Sequence, residues 1–246
     1  MGRRVTRLVI ADAHVGTQVG DADAMVEMLT RCVPAGITEV IYLGDSFKYL
    51  IGMAKFWTRS VAEVITAWDE IRAAGVKVRL IEGNRDFFLD EAELASRIDS
   101  SHLQIDFEQC GRRYRLVHGD KVNQRDFQYL FWSAFSKAFF SRLFARWLPR
   151  RLALRIVQSM EQHMATTNKK FRYTKPEAAL KREADKAFAD GVDVLLWGHF
   201  HTLWRYDVAA STAMVVPAWL EHRLALLLQD DGNWIFVNPD LEPVDV

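Results

Sequence analysis

The sequence lacks the features that mark secreted and membrane-spanning proteins. It has only two cysteines, Cys32 and Cys110, which lie far apart and match no metal-binding spacing. We therefore expect two unpaired thiols in a reducing compartment. No run of about 18 apolar residues is present to cross a bilayer. Residues 1–4 lead directly into a strand-like segment and do not resemble a signal peptide. These absences predict a cytoplasmic protein.

The chain also lacks an excess of either charge, since Lys+Arg and Asp+Glu each number 32. Net charge therefore indicates no particular partner. Half of the 246 residues are apolar and 26% are charged, which is typical of a globular protein. There is no internal repeat and no low-complexity linker. The length allows a core domain that carries an inserted subdomain.

Short apolar segments alternate with segments of helical spacing, and this order predicts an α/β fold. After the first half of the chain, further strand-like runs predict a second sheet packed on the first. The predicted helices span 21–33 and 60–73, and the predicted strands span 5–11, 39–43, 76–81, 103–107, 113–117, 192–197, 214–216, 223–228 and 234–237.

Residues 121–190 differ from the rest, because they have helical spacing and no ligand motif. We predict a core of residues 1–120 and 191–246 with 121–190 as a helical insertion. Residues 133–160 contain six Lys and Arg side chains among many Phe, Leu and Trp side chains, and no acidic residue. This pattern fits a surface for acyl chains or anionic lipid. It fits equally well an amphipathic helical hairpin that docks on the core.

Five fragments with metal-binding side chains follow strand ends or adjoin glycines. Any single histidine among them would more often be a buried, hydrogen-bonded ring. Together they supply the mixed oxygen and imidazole ligands that two divalent ions need to clamp a phosphoryl group. Such ligands suit Mn²⁺, Fe or Zn²⁺, and Asp45 is the carboxylate best placed to be shared. The candidate ligands are Asp12, His14, Asp45, Asn84, His118, His199 and His201.

In their order along the chain, from Asp12 to His201, these fragments resemble the calcineurin-like metallophosphoesterase superfamily. The resemblance implies an αββα sandwich of two sheets, with the insertion as a lid. It also implies that Asp45 bridges two ions, most simply Mn²⁺, and that Asp86 and Asp120 orient the ligands. One ion would be held by Asp12, His14, Asp45 and His201, and the other by Asp45, Asn84, His118 and His199.

Arg85 stands where the superfamily has a histidine that can protonate a leaving group. Arginine stays charged and cannot act as a general acid, but it can bind phosphate oxygens through paired hydrogen bonds. A phosphate monoester leaves without a proton, which favours cleavage of a diphosphate linkage. The alternative is that Arg85 forms a structural salt bridge next to an ordinary phosphodiesterase site. We assign catalytic roles to Asn84 and Arg85, which hold developing charge.

The segment 83–87, Gly-Asn-Arg-Asp-Phe, together with a helical insertion after His118, resembles the UDP-2,3-diacylglucosamine hydrolases of lipid A synthesis. The resemblance implies in-line attack by a metal-bridging hydroxide at the uridine-side phosphorus, which releases UMP and a diacylglucosamine 1-phosphate. It implies a peripheral position at the inner face of the cytoplasmic membrane. The substrate-binding residues that it implies are Asn84, Arg85, Asp126, Tyr129, Lys169 and Lys170; the last four could equally be solvated helix surface.

Two positions depart from that family's pattern: Lys48 replaces an acid and Phe200 replaces a threonine. These departures leave another nucleotide or lipid-linked diphosphate as an alternative substrate. A scaffold without turnover is disfavoured, because all seven ligand positions carry competent side chains. Nucleic-acid binding through the insertion is disfavoured by the density of apolar side chains among the arginines. The sequence identifies no protein partner.

Overall fold

The structure, a computed structural model, describes residues 5–122, 139–156, 159 and 176–245. The helices are α1 Asp21–Cys32, α2 Arg59–Ala73, α3 Ala92–Ala95, α4 Phe139–Trp147, α5 Glu177–Ala189 and α6 Trp219–His222. The strands are β1 Arg7–Ile10, β2 Glu39–Leu43, β3 Leu50–Ile51, β4 Lys77–Ile81, β5 Asp86–Phe87, β6 Ser100–His102, β7 Gln104–Gln109, β8 Arg112–Val117, β9 Val194–Trp197, β10 Trp204–Val208, β11 Ser211–Val215, β12 Ala225–Leu228, β13 Trp234–Val237 and β14 Pro243–Val244.

Two large sheets contain most of the strands. The larger has the order β14-β13-β12-β1-β2-β4-β6 and the smaller has the order β10-β11-β9-β8-β7. In the larger sheet β1, β2 and β4 run parallel, and in the smaller sheet β8 and β9 run parallel. The carboxyl ends of neighbouring parallel strands therefore meet at one edge of each sheet.

The alternation of side chains along each strand separates the layers. Ile41 and Leu43 of β2 pack with Leu116 and Leu196 of the smaller sheet. Tyr42, between them in sequence, faces the opposite way and packs with Trp68 of α2 in a separate buried cluster. These contacts place α1 and α2 outside the larger sheet and bury the space between the two sheets.

The outer face of the smaller sheet is covered by α5. Leu180 and Ala184 of this helix pack against Leu195 and Trp197 of β9. The layers are thus helix, sheet, sheet, helix, which confirms the predicted αββα sandwich. None of the helices in the described part of the chain is long and apolar enough to span a bilayer.

The packing of α5 changes one detail of the predicted domain division. This helix lies within 121–190, yet it forms an outer layer of the core. Residues 139–156 contact the core differently: Ala145, Leu148 and Ala153 pack with a small buried cluster that includes Phe56 and Phe87 of β5. The existence of a separate insertion stays a prediction, and we now expect it to end before α5.

Most predicted strands and helices agree with the structure to within two or three residues. The strand predicted at 223–228 begins only at Ala225, because Arg223 has the left-handed conformation (φ 52°) that ends α6. Strands β3, β5, β6, β10 and β14 were not predicted. The sequence of β6, Ser-Ser-His, has no apolar pattern, although it pairs with β4 as a parallel edge strand.

Candidate metal centre

The carboxyl ends of strands from both sheets meet at one place and bring the predicted ligands together. Asp12 and His14 follow β1, Asp45 follows β2, and Asn84 follows β4 in the larger sheet. The smaller sheet supplies His118 after β8, and His199 and His201 after β9. A backbone hydrogen bond of 2.9 Å from the His14 amide to the Asp45 carbonyl joins two of these loops.

Five of these residues have a backbone conformation that side chains other than glycine rarely adopt. Their φ angles are 46° at Asp12, 43° at His14, 50° at Asp45, 66° at His199 and 56° at His201. Each such residue costs on the order of 1–3 kcal/mol, and strain of this kind concentrates at functional sites. The loops therefore hold the side chains in position at a cost in stability.

One group of ligand atoms surrounds Asp12. Its Oδ1 atom lies 3.7 Å from His201 Nε2 and 4.0 Å from His14 Nε2. This Oδ1 is fully buried and has no hydrogen-bond partner in the described residues. A buried carboxylate oxygen without such a partner is unfavourable unless a cation compensates it. Asp12, His14 and His201 thus fit a divalent ion, with all three ligand atoms within 4.8 Å of one another.

A second group contains Asp12, Asp45 and His118, again within 4.8 Å of one another. Asp45 Oδ1 lies 3.7 Å from His118 Nε2, and Asp45 Oδ2 lies 3.8 Å from His14 Nε2. Asn84 Oδ1 is 3.2 Å from His118 Nε2. Asp45 therefore contacts both groups, as a bridging carboxylate must. Asp12 also belongs to both groups, which the sequence had not indicated.

His199 is attached to the second group by its ring and its backbone. Its ring centroid lies 5.1 Å from that of His118. Its amide donates a 2.6 Å hydrogen bond to Asp12 Oδ2. All seven predicted ligands are therefore close together, and their role as metal ligands is the proposal developed below.

Glycines next to the ligands allow this close approach. A Cβ on Gly44 would overlap the His118 ring, and one on Gly83 would overlap the Asp45 carboxylate. A Cβ on Gly198 would lie 2.8 Å from Asp12 Oδ2. Each of these glycines gives space to a ligand side chain from a different loop.

Burial and neighbouring charges shift the pKa values of the ligands. Burial disfavours the charged ring of His118, but the Asp45 and Asp12 carboxylates outweigh burial and raise its pKa to about 9. Burial would likewise raise the pKa of Asp45, but His118, His14 and Arg85 together lower it. Burial, and then the charge of His118, lower the pKa of His199 to about 4. His199 thus presents a neutral ring at pH 7, the form that binds metal.

Arg85 is 7% exposed and lies beside Asp45. Its amide donates a 2.9 Å hydrogen bond to Asp45 Oδ1, and its Nε lies 3.6 Å from Asp45 Oδ2. The guanidinium also stacks over Tyr49, 5.7 Å from the ring centroid. The Arg85 Nε atom is buried and has no hydrogen-bond partner in the described residues. Arg85 thus forms an ion pair with Asp45 and has N–H donors that could bind an anion.

Asp86 and Asp120, the two carboxylates that the resemblance implies as orienting groups, act on the candidate ligands in different ways. Asp86 Oδ2 accepts hydrogen bonds from the amides of Asp45 and Gly83, at 2.9 and 2.8 Å, and so fixes these two loops together. Asp120 contributes its negative charge to the raised pKa of His118. Sequence reasoning missed a third carboxylate, Glu221, which lies 3.2 Å from His201 Nδ1. No motif marks Glu221, because it lies twenty residues beyond His201.

The two departures from the family pattern have different surroundings. Phe200 is buried and packs edge-on against the His199 ring, with centroids 5.2 Å apart. Lys48 is half-buried, and its amide donates to the Val15 carbonyl at 2.9 Å. The predicted substrate contacts Asp126, Tyr129, Lys169 and Lys170 lie outside the described residues.

Comparisons with known proteins agree with this site. The profile of the calcineurin-like phosphoesterase family matches residues 5–203. The UDP-2,3-diacylglucosamine hydrolase of Ralstonia nicotianae is 30% identical over 85% of this chain and 82% of its own length. The protein of the same name from Haemophilus ducreyi is 25% identical over 95% of this chain and all of its own length.

A solved structure shows the same fold. Yfce, a phosphoesterase from E. coli, superposes with a TM-score of 0.50 at 14% identity, covering 98% of this chain and 97% of its own. The family profile spans every strand that leads to a ligand, and the two groups of buried ligand atoms fit divalent ions. The chain belongs to the calcineurin-like phosphoesterase family of metal-dependent hydrolases, whose members bind a pair of divalent metal ions.

Proposed function

We propose that this protein hydrolyses the diphosphate bond of UDP-2,3-diacylglucosamine to UMP and 2,3-diacylglucosamine 1-phosphate. The observation that carries the proposal is the position of Arg85. A buried guanidinium with open donors lies beside the shared carboxylate Asp45, where an acid would be needed for a poor leaving group. The hydrolases of this name from Ralstonia nicotianae and Haemophilus ducreyi, which align with most of this chain, support the same substrate.

Two divalent ions complete the proposed site, and Mn²⁺ suits its mixture of ligands. Bound there, the pair supplies a water of lowered pKa and positive charge for the phosphoryl oxygens. We assign the ligands as the sequence predicted: Asp45 is shared, one ion takes Asp12, His14 and His201, and the other takes Asn84, His118 and His199.

Arg85 and Asn84 act on the substrate in this proposal. The Arg85 guanidinium donates hydrogen bonds to the diphosphate oxygens and offsets the charge that develops on them. The Asn84 amide, held 3.2 Å from His118 by its oxygen, keeps its two N–H donors for the same oxygens. Neither group transfers a proton. A leaving phosphate monoester, with a second pKa of about 6, needs none.

The reaction is tested with isotopically labelled water. The Mn²⁺-loaded protein is incubated with UDP-2,3-diacylglucosamine in ¹⁸O-labelled water, and the ¹⁸O content of both products is measured by mass spectrometry. Attack at the uridine-side phosphorus places the label in UMP. Label in the sugar phosphate, or no cleavage, would contradict the proposal. The Asp45→Asn protein is the control for contaminating hydrolases.

Lys48 and Phe200 favour a second candidate substrate, because both differ from the pattern of the resembling hydrolases near the ligands. This candidate is another nucleotide diphosphate or lipid-linked diphosphate. Parallel assays with the deacylated UDP-sugar and with other nucleotide diphosphates separate the two candidates. Equal rates with and without acyl chains would favour the second.

We also propose a peripheral position at the inner face of the cytoplasmic membrane. The support comes from residues 139–156, where Phe144 and Trp147 are 64% and 81% exposed. Exposed aromatic side chains next to arginines are typical of helices that lie in the headgroup region. Arg150 and Arg151 are exposed beside them.

Arg142 and Arg146 form ion pairs with the core, unlike the exposed Arg150 and Arg151. Arg142 forms ion pairs with Asp90 at 2.9 Å and Glu91 at 2.5 Å, and Arg146 pairs with Glu91 at 3.0 Å. These two side chains hold α4 on the core. We expect the exposed Arg150 and Arg151 to contact anionic lipid instead.

Sedimentation with vesicles tests the membrane contact. We expect the wild type to sediment with vesicles of phosphatidylglycerol and phosphatidylethanolamine, and the Phe144→Ser, Trp147→Ser protein to stay in the supernatant. Leu103→Ser is the control, because Leu103 is also 60% exposed and lies between β6 and β7, outside residues 139–156. Equal sedimentation of all three proteins would refute the contact.

A further inference from the structure

Glu221 lies behind His201 as seen from the metal centre. Its Oε1 atom is 3.2 Å from His201 Nδ1, and the other ring nitrogen, Nε2, is 3.7 Å from Asp12 Oδ1. A ring nitrogen that donates to a carboxylate leaves the opposite nitrogen as the ligand atom. We propose that Glu221 is a positioning residue, which orients His201 and strengthens its binding of one of the two ions.

The fold fixes Glu221 relative to Asp12 through the backbone. Helix α6 begins at Trp219, whose amide donates a 2.8 Å hydrogen bond to the Ala11 carbonyl. Ala218 forms a parallel bridge with Ala11, directly before Asp12. The carboxylate that orients His201 and the carboxylate that shares an ion with it are therefore attached to the same strand end.

His118 has the corresponding arrangement with a neutral acceptor. Its Nδ1 lies 2.9 Å from the Leu43 carbonyl, and its Nε2 faces Asp45. A carboxylate is the stronger acceptor, because the hydrogen bond is charge-assisted, and it raises the donor strength of the imidazole. Glu221 thus makes the two ion positions unequal. The second ring nitrogen of His201 faces a carboxylate, whereas that of His118 faces a backbone carbonyl, so we expect Glu221 to favour the ion next to His201.

The side chain of Glu221 is 29% exposed. Water therefore contacts part of the Glu221 carboxylate. We expect the core packing to stay intact when this side chain is removed. Substituting the partner of a ligating histidine lowers metal affinity by roughly 10–100-fold. We expect Glu221→Ala to produce a loss of this size at one ion position only.

The test compares Glu221→Gln and Glu221→Ala with wild type and with His222→Ala, a control on the same short helix. Metal content is measured by mass spectrometry after dialysis against buffered Mn²⁺ concentrations. The proposal predicts a two-step curve in which one step moves 10–100-fold in Glu221→Ala, less in Glu221→Gln, and not in His222→Ala. The melting temperature of each metal-free variant should match that of wild type.

Two results would overturn the proposal. One is binding of both ions with wild-type affinity by both Glu221 variants. The other is an equal weakening of both steps together with a lower melting temperature without metal, which would make Glu221 a structural residue. The proposal rests on the metal site and not on the substrate. If the protein binds two ions but leaves UDP-2,3-diacylglucosamine intact, the proposed function fails and the role of Glu221 is still measured.

Discussion

The imidazole of His118 lies directly against Gly44, so closely that a Cβ at residue 44 would overlap the ring. The two residues come from different sheets, since Gly44 follows β2 and His118 follows β8. Gly44 also has a φ of 83°, which a side chain tolerates poorly. A single methyl group at residue 44 would therefore strain the local backbone and displace the ring of a candidate ligand.

Gly44→Ala should lower hydrolysis at least 100-fold and weaken metal binding, because His118 must move. The matched control is Gly36→Ala: Gly36 also has a positive φ, 73°, but nothing lies within 4 Å of its added Cβ. We expect the control to lose about 1 kcal/mol of unfolding free energy and to keep its activity. Metal analysis, assays and denaturant melts would show the difference. Similar losses of activity in both variants would contradict the overlap argument.

Asp45→Asn should remove most of the bound metal and lower the rate by at least 1,000-fold. The Asp45 carboxylate oxygens lie 3.8 Å from His14 Nε2 and 3.7 Å from His118 Nε2. An amide cannot supply two negatively charged oxygens to ions at these two positions. Elemental analysis and the hydrolase assay measure the two losses. Retention of two ions per chain by this variant would be incompatible with a shared carboxylate.

Arg85→Lys should keep both metal ions and lower kcat/KM by roughly 10²–10³-fold. Lysine retains the charge near Asp45 but lacks the planar pair of donors that grips phosphate oxygens. Metal content is therefore the internal control for activity. If Arg85 were only a structural partner of Asp45, the lysine protein would keep its rate and Arg85→Ala would lose stability instead.

Glu91→Gln should loosen residues 139–156 from the core. Glu91 accepts ion pairs from both Arg142 and Arg146, and its side chain is 12% exposed. We expect limited trypsin digestion to cut after the arginines of this segment several-fold faster. Glu63→Gln is the control, because it removes the exposed pair with Arg59 at 2.7 Å, and such pairs contribute little. Equal cutting rates in the two variants would show that the apolar contacts alone hold the segment.

The two cysteines should react very differently with thiol reagents. Burial raises the pKa of Cys32 to about 12, so this thiol stays protonated at pH 8 and is also inaccessible. Cys110 is exposed. One thiol per chain should react in the native protein and two after denaturation. Cys110→Ser should abolish the native reaction, and a second fast thiol in wild type would disagree with the structure.

The proximity of the candidate ligands could be predicted because each follows a short, strongly apolar strand. Val40 to Leu43 and Val194 to Trp197 are fully buried, so their strand character appears in composition alone. Parallel strands then bring their ends to one edge without further information. This is why side chains as distant in sequence as Asp12 and His201 could be grouped before their distance was known.

Other features depend on tertiary contacts that leave no local pattern. The Glu221 carboxylate is opposite His201 only because α6 is hydrogen-bonded to the end of β1. The outer position of α5 depends on its packing against the apolar face of β9. The predicted boundary at residue 190 did not take this packing into account. From the sequence, the arginines of residues 133–160 that contact the core could not be distinguished from those that are exposed. Only the acidic pair Asp90 and Glu91 shows which of them hold the helix on the core.

The candidate ligands are divided between the two sheets, with Asp12, His14, Asp45 and Asn84 on one and three histidines on the other. Neither half of the sandwich contains a complete coordination set. A single cut between β6 and β7 would leave the first four side chains on one half of the polypeptide and the three histidines on the other. Each half would be inert alone, and catalysis would report directly on their reassembly. Chelators should in turn weaken the association of the halves, since the cations would act as a removable cross-link between layers.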